Sequence, residues 1–221
     1  AHDRTLDRKV VRKEHYPQGL CARDADSHCL IPLDEDTESL FAESVNQFIR
    51  EARLIASLEH PAIIRIHRVF SLSPTTCFYV MPLLEGGTLR EVIHSGKRIP
   101  PRTLLSWLQT LVSALDCLNQ HHIVHLDIKP GNILFTGEGQ PVLADFGTAS
   151  LRPSHGTVNI LAHSAYSAPE LFTEDAAPDI RADQYSLAAC LYELMTSYPW
   201  NTLSGKVGEA HAGELLVSLA Q

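Results

Sequence analysis

The apolar positions of this chain repeat with two periods, and the switches between them lay out its elements. Residues 9–14, KVVRKE, set two β-branched valines among long polar side chains and predict a short strand. Residues 15–42 read as a polar connection holding Pro17, Gly19 and Pro32, with Asp34-Glu35-Asp36 as a solvated loop. From Glu43 to about Leu58, Val45, Phe48, Ala52 and Ile55 recur at helical spacing, and Pro61 stops that amphipathic helix. IIRIHRVF (63–70) and CFYVM (77–81) then predict two paired strands.

LLEGGTL (83–89) is a break, where two glycines end the strand region and Thr88 can cap a short helix. After Pro100-Pro101 the longest helix runs over about 102–121, with Leu104, Leu108, Leu111, Leu115 and Leu118 on one face. IVH, NILF and PVLADFG are short apolar pieces bounded by turn residues, and 148–168 is an irregular loop. A helix over about 182–196 carries the longest apolar run, the six residues Leu187 to Tyr192, and is expected to be buried. Strands with one helix, a glycine hinge, then mostly helices predict a two-lobed α+β architecture, a β-rich unit over 1–82 and a helical unit over 83–221.

Composition narrows the class. The 221 residues are 44% hydrophobic and 20% charged, which describes a globular chain and excludes collagen, coiled coil and disorder. A formal charge of −8 argues against a nucleic-acid binder that works by phosphate neutralisation. Cys21, Cys29, Cys77, Cys117 and Cys190 are odd in number and lack CxxC spacing, so they support neither a disulfide framework nor a zinc site and fit the reducing cytoplasm. No apolar run is long enough for a membrane span. The charged start AHDRTLDRKVV, without methionine, is expected to be the edge of a fragment.

The chemistry concentrates in HLDIKPGNILF (125–135) and in DFG (145–147) ten residues later. If the two short apolar pieces form a hairpin, Asp127, Lys129, Asn132 and Asp145 converge. That set suits phosphoryl transfer: one carboxylate orients a hydroxyl and accepts its proton, lysine neutralises phosphate charge, and the asparagine oxygen with the other carboxylate offers hard ligands to magnesium. His121, His122 and His125 crowd together, but adjacent histidines point apart and no carboxylate or cysteine partner is evident.

With these motifs, followed by the A-P-E of SAPE (167–170), the sequence resembles the protein kinase superfamily, and the bacterial eukaryotic-like serine/threonine kinases in particular. The resemblance covers roughly residues 5 to 200 and implies a two-lobed kinase fold that moves the ATP γ-phosphate to a protein serine or threonine. It makes VVRK the strand with the phosphate-anchoring Lys13, and FIREARLIASLEHPAIIRI the helix whose Glu51 pairs with that lysine. CFYVMPLLEGGTL becomes the hinge, with Met81 as gatekeeper and Leu84 offering backbone bonds to adenine. Val11 would roof the ATP and Leu134 floor it. Asp127 is then the catalytic base, Lys129 its phosphate partner, and Asn132 and Asp145 the Mg2+ ligands. Asp183 in DQYSLA is the buried carboxylate that holds the catalytic loop, and His125 packs near Phe146. Lys129 points to serine/threonine rather than tyrosine specificity.

The pattern is broken in three places. Leu126 stands where the family has the arginine of H-R-D, the group that pairs with a phosphorylated activation loop, so such phosphorylation is not expected to be the switch. His163 stands where a threonine usually bridges the catalytic aspartate and lysine. No glycine precedes Lys13, and only 21 residues follow Trp200, so the kinase domain reads as trimmed at both ends, its parent free to be membrane-attached through missing flanks. Two alternatives stand beside the kinase reading. One is a nucleotide-binding pseudokinase or scaffold, the other a small-molecule phosphotransferase.

Overall fold

The computed structural model describes residues 1–4, 7–147, 149–151, 164–172 and 178–200. Its first part is a four-stranded antiparallel sheet of order β1-β2-β6-β5, built from β1 (His2–Asp3), β2 (Arg8–Glu14), β5 (Arg68–Ser73) and β6 (Thr76–Pro82). In the β2–β6 register Val11 lies opposite Met81 and Lys13 opposite Tyr79. Strand alternation therefore puts those four on one face.

The segment over 15–42 is more structured than its polarity suggests. It folds a small hairpin, β3 (Cys21–Arg23) with β4 (Leu30–Pro32), and then starts α1 (Glu35–Ala56) eight residues before the expected start at Glu43. The acidic trio is the start of that helix rather than a loop. Asp34 accepts from the Thr37 N–H at 2.8 Å while the Thr37 hydroxyl accepts from the Asp34 N–H at 3.1 Å, and Glu35 and Asp36 lie in the first turn, where the helix dipole favours negative charge. Periodicity missed these turns because their side chains are mostly exposed.

The expected strand at 63–70 also differs. Only the end of this run bonds β6, beginning with His67 N–H to Val80 O at 2.7 Å and the Arg68–Val80 pair. Ile63, Ile64 and Ile66 are buried, and their segment crosses to β9 (Pro141–Leu143) through Ile64 N–H to Leu143 O and Leu143 N–H to Ala62 O, both 2.8 Å. That apolar run ties the sheet to the β9 hairpin instead of extending it.

Beyond Pro82 come α2 (Leu89–His94), α3 (Pro101–Gln120), β7 (Ile123–Val124), the hairpin β8 (Ile133–Phe135) with β9, β10 (Ser150–Leu151) paired with β7, a 3-10 turn at Pro169–Phe172, and α4 (Ile180–Thr196). Leu111, Leu115 and Leu118 of α3 and Leu187 and Cys190 of α4 are buried in the main core. Among the described residues no helix is long and apolar enough to cross a membrane.

Candidate active site

The hairpin β8–β9 brings the two chemical motifs together. The loop from β7 to β8 carries Asp127, Lys129 and Asn132, the loop after β9 carries Asp145, and the Ala144 N–H bonds Asn132 O at 2.9 Å to lock one to the other. Lys129 Nζ reaches both Asp127 carboxylate oxygens, at 2.7 and 3.0 Å. The Asn132 amide donates to Asp127 Oδ2 at 2.8 Å and to the Asp127 carbonyl at 2.9 Å. Asp127 is thus fixed by a cation and an amide. With its NH2 engaged by Asp127, Asn132 has its carbonyl oxygen to offer a ligand.

Two buried groups hold this loop in shape. The Asp183 carboxylate, fully buried on α4, accepts the His125 N–H at 2.7 Å and the Leu126 N–H at 2.9 Å. Leu126 has a φ of 65°, a left-handed conformation that costs a branched residue about 1–2 kcal/mol, and the clamp on its N–H offsets that strain. His125 packs on Phe146 with ring centroids 4.4 Å apart. Its Nδ1 accepts the Asp127 N–H and its Nε2 donates to Ala144 O, each at 3.3 Å, so the ring is the neutral tautomer. Burial pushes its pKa down to about 4, which agrees.

On the sheet side, Lys13 Nζ lies 2.7 Å from Asp145 Oδ1 and 3.5 Å from Glu51 Oε1. Burial opposes the Lys13 charge, but the carboxylates of Glu51 and Asp145 outweigh it and hold its pKa above the ordinary value. Burial raises the pKa of Glu51, against the pull of Lys13 and the Tyr79 hydroxyl, whereas Lys13 overcomes burial at Asp145 and keeps that carboxyl low. Asp145 is left-handed, φ 61°, and Gly147 lies against the same groups, its Cβ position 3.6 Å from Asp145 Oδ1 and 3.7 Å from Lys13 Nζ. The segment after β6 is stitched to β8 by Gly86 N–H to Phe135 O and Phe135 N–H to Gly87 O, both 2.9 Å. Met81, Leu84 and Leu134 are partly buried against the core there, with Val11 beside Met81 across the strands.

Comparison with known proteins fits this geometry. The model of the protein kinase domain matches residues 33–214. The chain belongs to the protein kinase family. It is 35% identical over 161 residues to a probable serine/threonine-protein kinase of Streptomyces coelicolor, covering 69% of this chain and 24% of that protein. To the serine/threonine-protein kinase PknB of Mycolicibacterium smegmatis it is 32% identical over 161 residues, 69% of this chain and 26% of the relative. PknL of Mycobacterium tuberculosis is 34% identical over 157 residues, 70% of this chain and 39% of PknL. The chain therefore spans well under half the length of these curated relatives. A solved structure, PpkA-294 in its apo form, superposes with a TM-score of 0.71 at 28% identity, over 90% of this chain and 70% of that one. The fold is the two-lobed α+β kinase fold.

Within this kinase domain the departure at Leu126 has a structural use. The side chain is buried in a small apolar cluster with Val124, Ala168, Leu171 and Ala182, with Tyr185 packed against it. Leu126 thus joins the loop that carries Asp127 to the A-P-E segment by packing. His163 lies outside the described residues, and so does Thr148. Of the three crowded histidines, His121 turns back to the Cys117 carbonyl at 2.8 Å and is exposed, while His125 is buried; among the described residues no group of three or more His, Cys, Asp or Glu is gathered to hold a metal. Sequence reasoning missed Tyr79, whose hydroxyl donates to Glu51 Oε1 at 3.2 Å. The signal was present: Tyr79 is two residues before Met81 and opposite Lys13, hence on the lysine's face.

Proposed function

We propose that this domain transfers the γ-phosphate of ATP to a serine or threonine hydroxyl of a protein. The observation that carries the proposal is the constellation around Asp127, a carboxylate bonded by Lys129 and Asn132 and locked through the β8–β9 hairpin to a second carboxylate that already holds an ammonium group. The bacterial serine/threonine kinase names of its relatives support the same substrate class.

Asp127 orients the incoming hydroxyl and takes its proton, and Lys129 neutralises phosphate charge beside it. Lys13, aligned by Glu51, anchors the α- and β-phosphates. Adenine lies against Met81–Leu84, between Val11 and Leu134. Asp145 and the Asn132 carbonyl fit a hard divalent cation, for both are oxygen donors and Asp145 is already paired with positive charge at Lys13 Nζ. Mg2+, when bound there, shields the phosphate oxygens. The division into lobes falls after Pro82, since the four-stranded sheet is contained in residues 2–82.

The test is magnesium-dependent transfer of labelled γ-phosphate to a basic protein, comparing the full chain with Asp127→Asn. Asparagine keeps the shape and removes the base, so transfer should fall by roughly 10²–10⁴-fold while ATP affinity stays within about twofold. ATP binding without transfer by the unaltered protein would instead support a scaffold.

A further inference from the structure

Lys13 is closer to Asp145 than to Glu51, by 2.7 Å against 3.5 Å, so the lysine alone holds the Glu51 carboxylate loosely. Yet Glu51 is only 5% exposed, and a buried carboxylate needs partners. Its shorter hydrogen bond comes from the Tyr79 hydroxyl, at 3.2 Å. Tyr79 is itself buried and cannot drift. Its ring stacks on Phe48 at 5.0 Å and 17°, Phe48 packs on His15 at 5.0 Å, and His15 stacks on Phe41 at 6.4 Å and 16°. Phe41, Phe48 and Glu51 share the inward face of α1, while His15 and Tyr79 belong to the sheet side, so the four rings interleave helix and sheet. His15 is pinned by its hydrogen bond to Ser44 of the same helix at 2.9 Å. The Lys13 ammonium also lies 5.4 Å from the centre of the Tyr79 ring, within reach of a cation–π attraction.

We infer that Tyr79 is a positioning residue: its hydroxyl, aimed by the Phe41–His15–Phe48–Tyr79 stack, keeps Glu51 turned toward Lys13 and helix α1 docked before nucleotide arrives. The inference rests on the kinase reading of the site and adds a regulatory property to it. In that reading Lys13 is drawn to the phosphates, so it is not a constant partner for Glu51. Tyr79 is, because nothing in the reaction competes for its hydroxyl. The lysine–glutamate pair is thus preassembled, and ATP need not give up binding energy to draw α1 inward.

Tyr79→Phe removes one oxygen and leaves the stack. The dissociation constant for ATP with magnesium is measured by calorimetry on the full chain, on Tyr79→Phe, on Glu51→Gln and on the double variant. Loss of a hydrogen bond to a charged, buried group should weaken ATP binding roughly tenfold in the first background. In the Glu51→Gln background, where there is no charge to orient, the same change should matter less than about twofold. An equal factor in both backgrounds would show that Tyr79 acts by packing alone and overturn the inference, as would no change in either. Failure of the unaltered chain to bind ATP would overturn the proposed function and this inference with it, whereas ATP binding indifferent to Tyr79→Phe overturns the inference alone.

Discussion

Asp183→Asn separates two properties of one side chain, its acceptance of two backbone N–H groups and its charge. Burial pushes the Asp183 carboxyl from the ordinary 3.8 up to about 7, with the His125 and Leu126 N–H bonds pulling it partway back. A carboxyl raised in the folded state holds more protons folded than unfolded between those values. Its contribution to stability is therefore complete below 3.8 and is lost as pH rises through 7. At roughly 1.36 kcal/mol per pKa unit the whole span is about 4 kcal/mol, of which about 3 kcal/mol falls between pH 5 and pH 8. Asparagine cannot titrate. It keeps one acceptor oxygen and presents an NH2 to the second backbone donor, which costs about 1–3 kcal/mol at any pH. His125 works in the opposite sense, since a histidine depressed to about 4 loses its contribution as pH falls below 6.5, but it is present in both proteins and cancels in their difference. Urea unfolding of the two proteins at pH 5 and pH 8 reads the outcome. The variant's deficit should be larger at pH 5, by about 3 kcal/mol. A deficit that is equal at both pH values, or larger at pH 8, would mean that the backbone amides keep Asp183 ionised throughout and would refute the reasoning.

Two further perturbations test the packing that shapes the site. Leu126→Ala empties the cluster with Val124, Ala168, Leu171 and Ala182 and should cost about 2–5 kcal/mol in a thermal or urea melt, with transfer falling as the A-P-E segment loosens; phosphatase treatment of the unaltered chain should leave its rate intact, and a rate abolished by phosphatase would sink the idea that packing replaces the phosphate pairing. Gly86→Ala would set a Cβ 2.3 Å from Thr136 O and 2.7 Å from Phe135 O, so the hinge must pull away from β8 and ATP affinity should drop, while Gly137→Ala, with nothing within 4 Å of its Cβ, serves as the neutral control.

Elements were legible in the chain where the forces that form them act locally. The leucine stripe of α3, the β2 valines and the glycine hinge each express a preference satisfied within a few residues, so their elements stand close to where periodicity puts them. The start of α1 was illegible to periodicity because its first turns are held by the reciprocal Asp34–Thr37 cap rather than by buried apolar groups. The Ile63–Ile66 run was misassigned for a different reason: a short apolar run has no way to declare its partner, and here that partner is β9, some 80 residues on.

The same boundary divides the site. The residue types and their order, Lys13, Glu51, Asp127, Lys129, Asn132 and Asp145, are written in the chain itself, because the chemistry we propose, built on charge, metal ligation and proton transfer, restricts which side chains can serve. How those groups are shared is a product of packing. The folded structure gives Asp145 the nearer claim on Lys13, gives Glu51 to the Tyr79 hydroxyl, and turns Leu126 from a missing arginine into the buried link between catalytic loop and A-P-E segment. Contacts of 2.7 and 3.2 Å between groups 132 and 28 residues apart are set by how helix and sheet pack, and no local pattern carries that information.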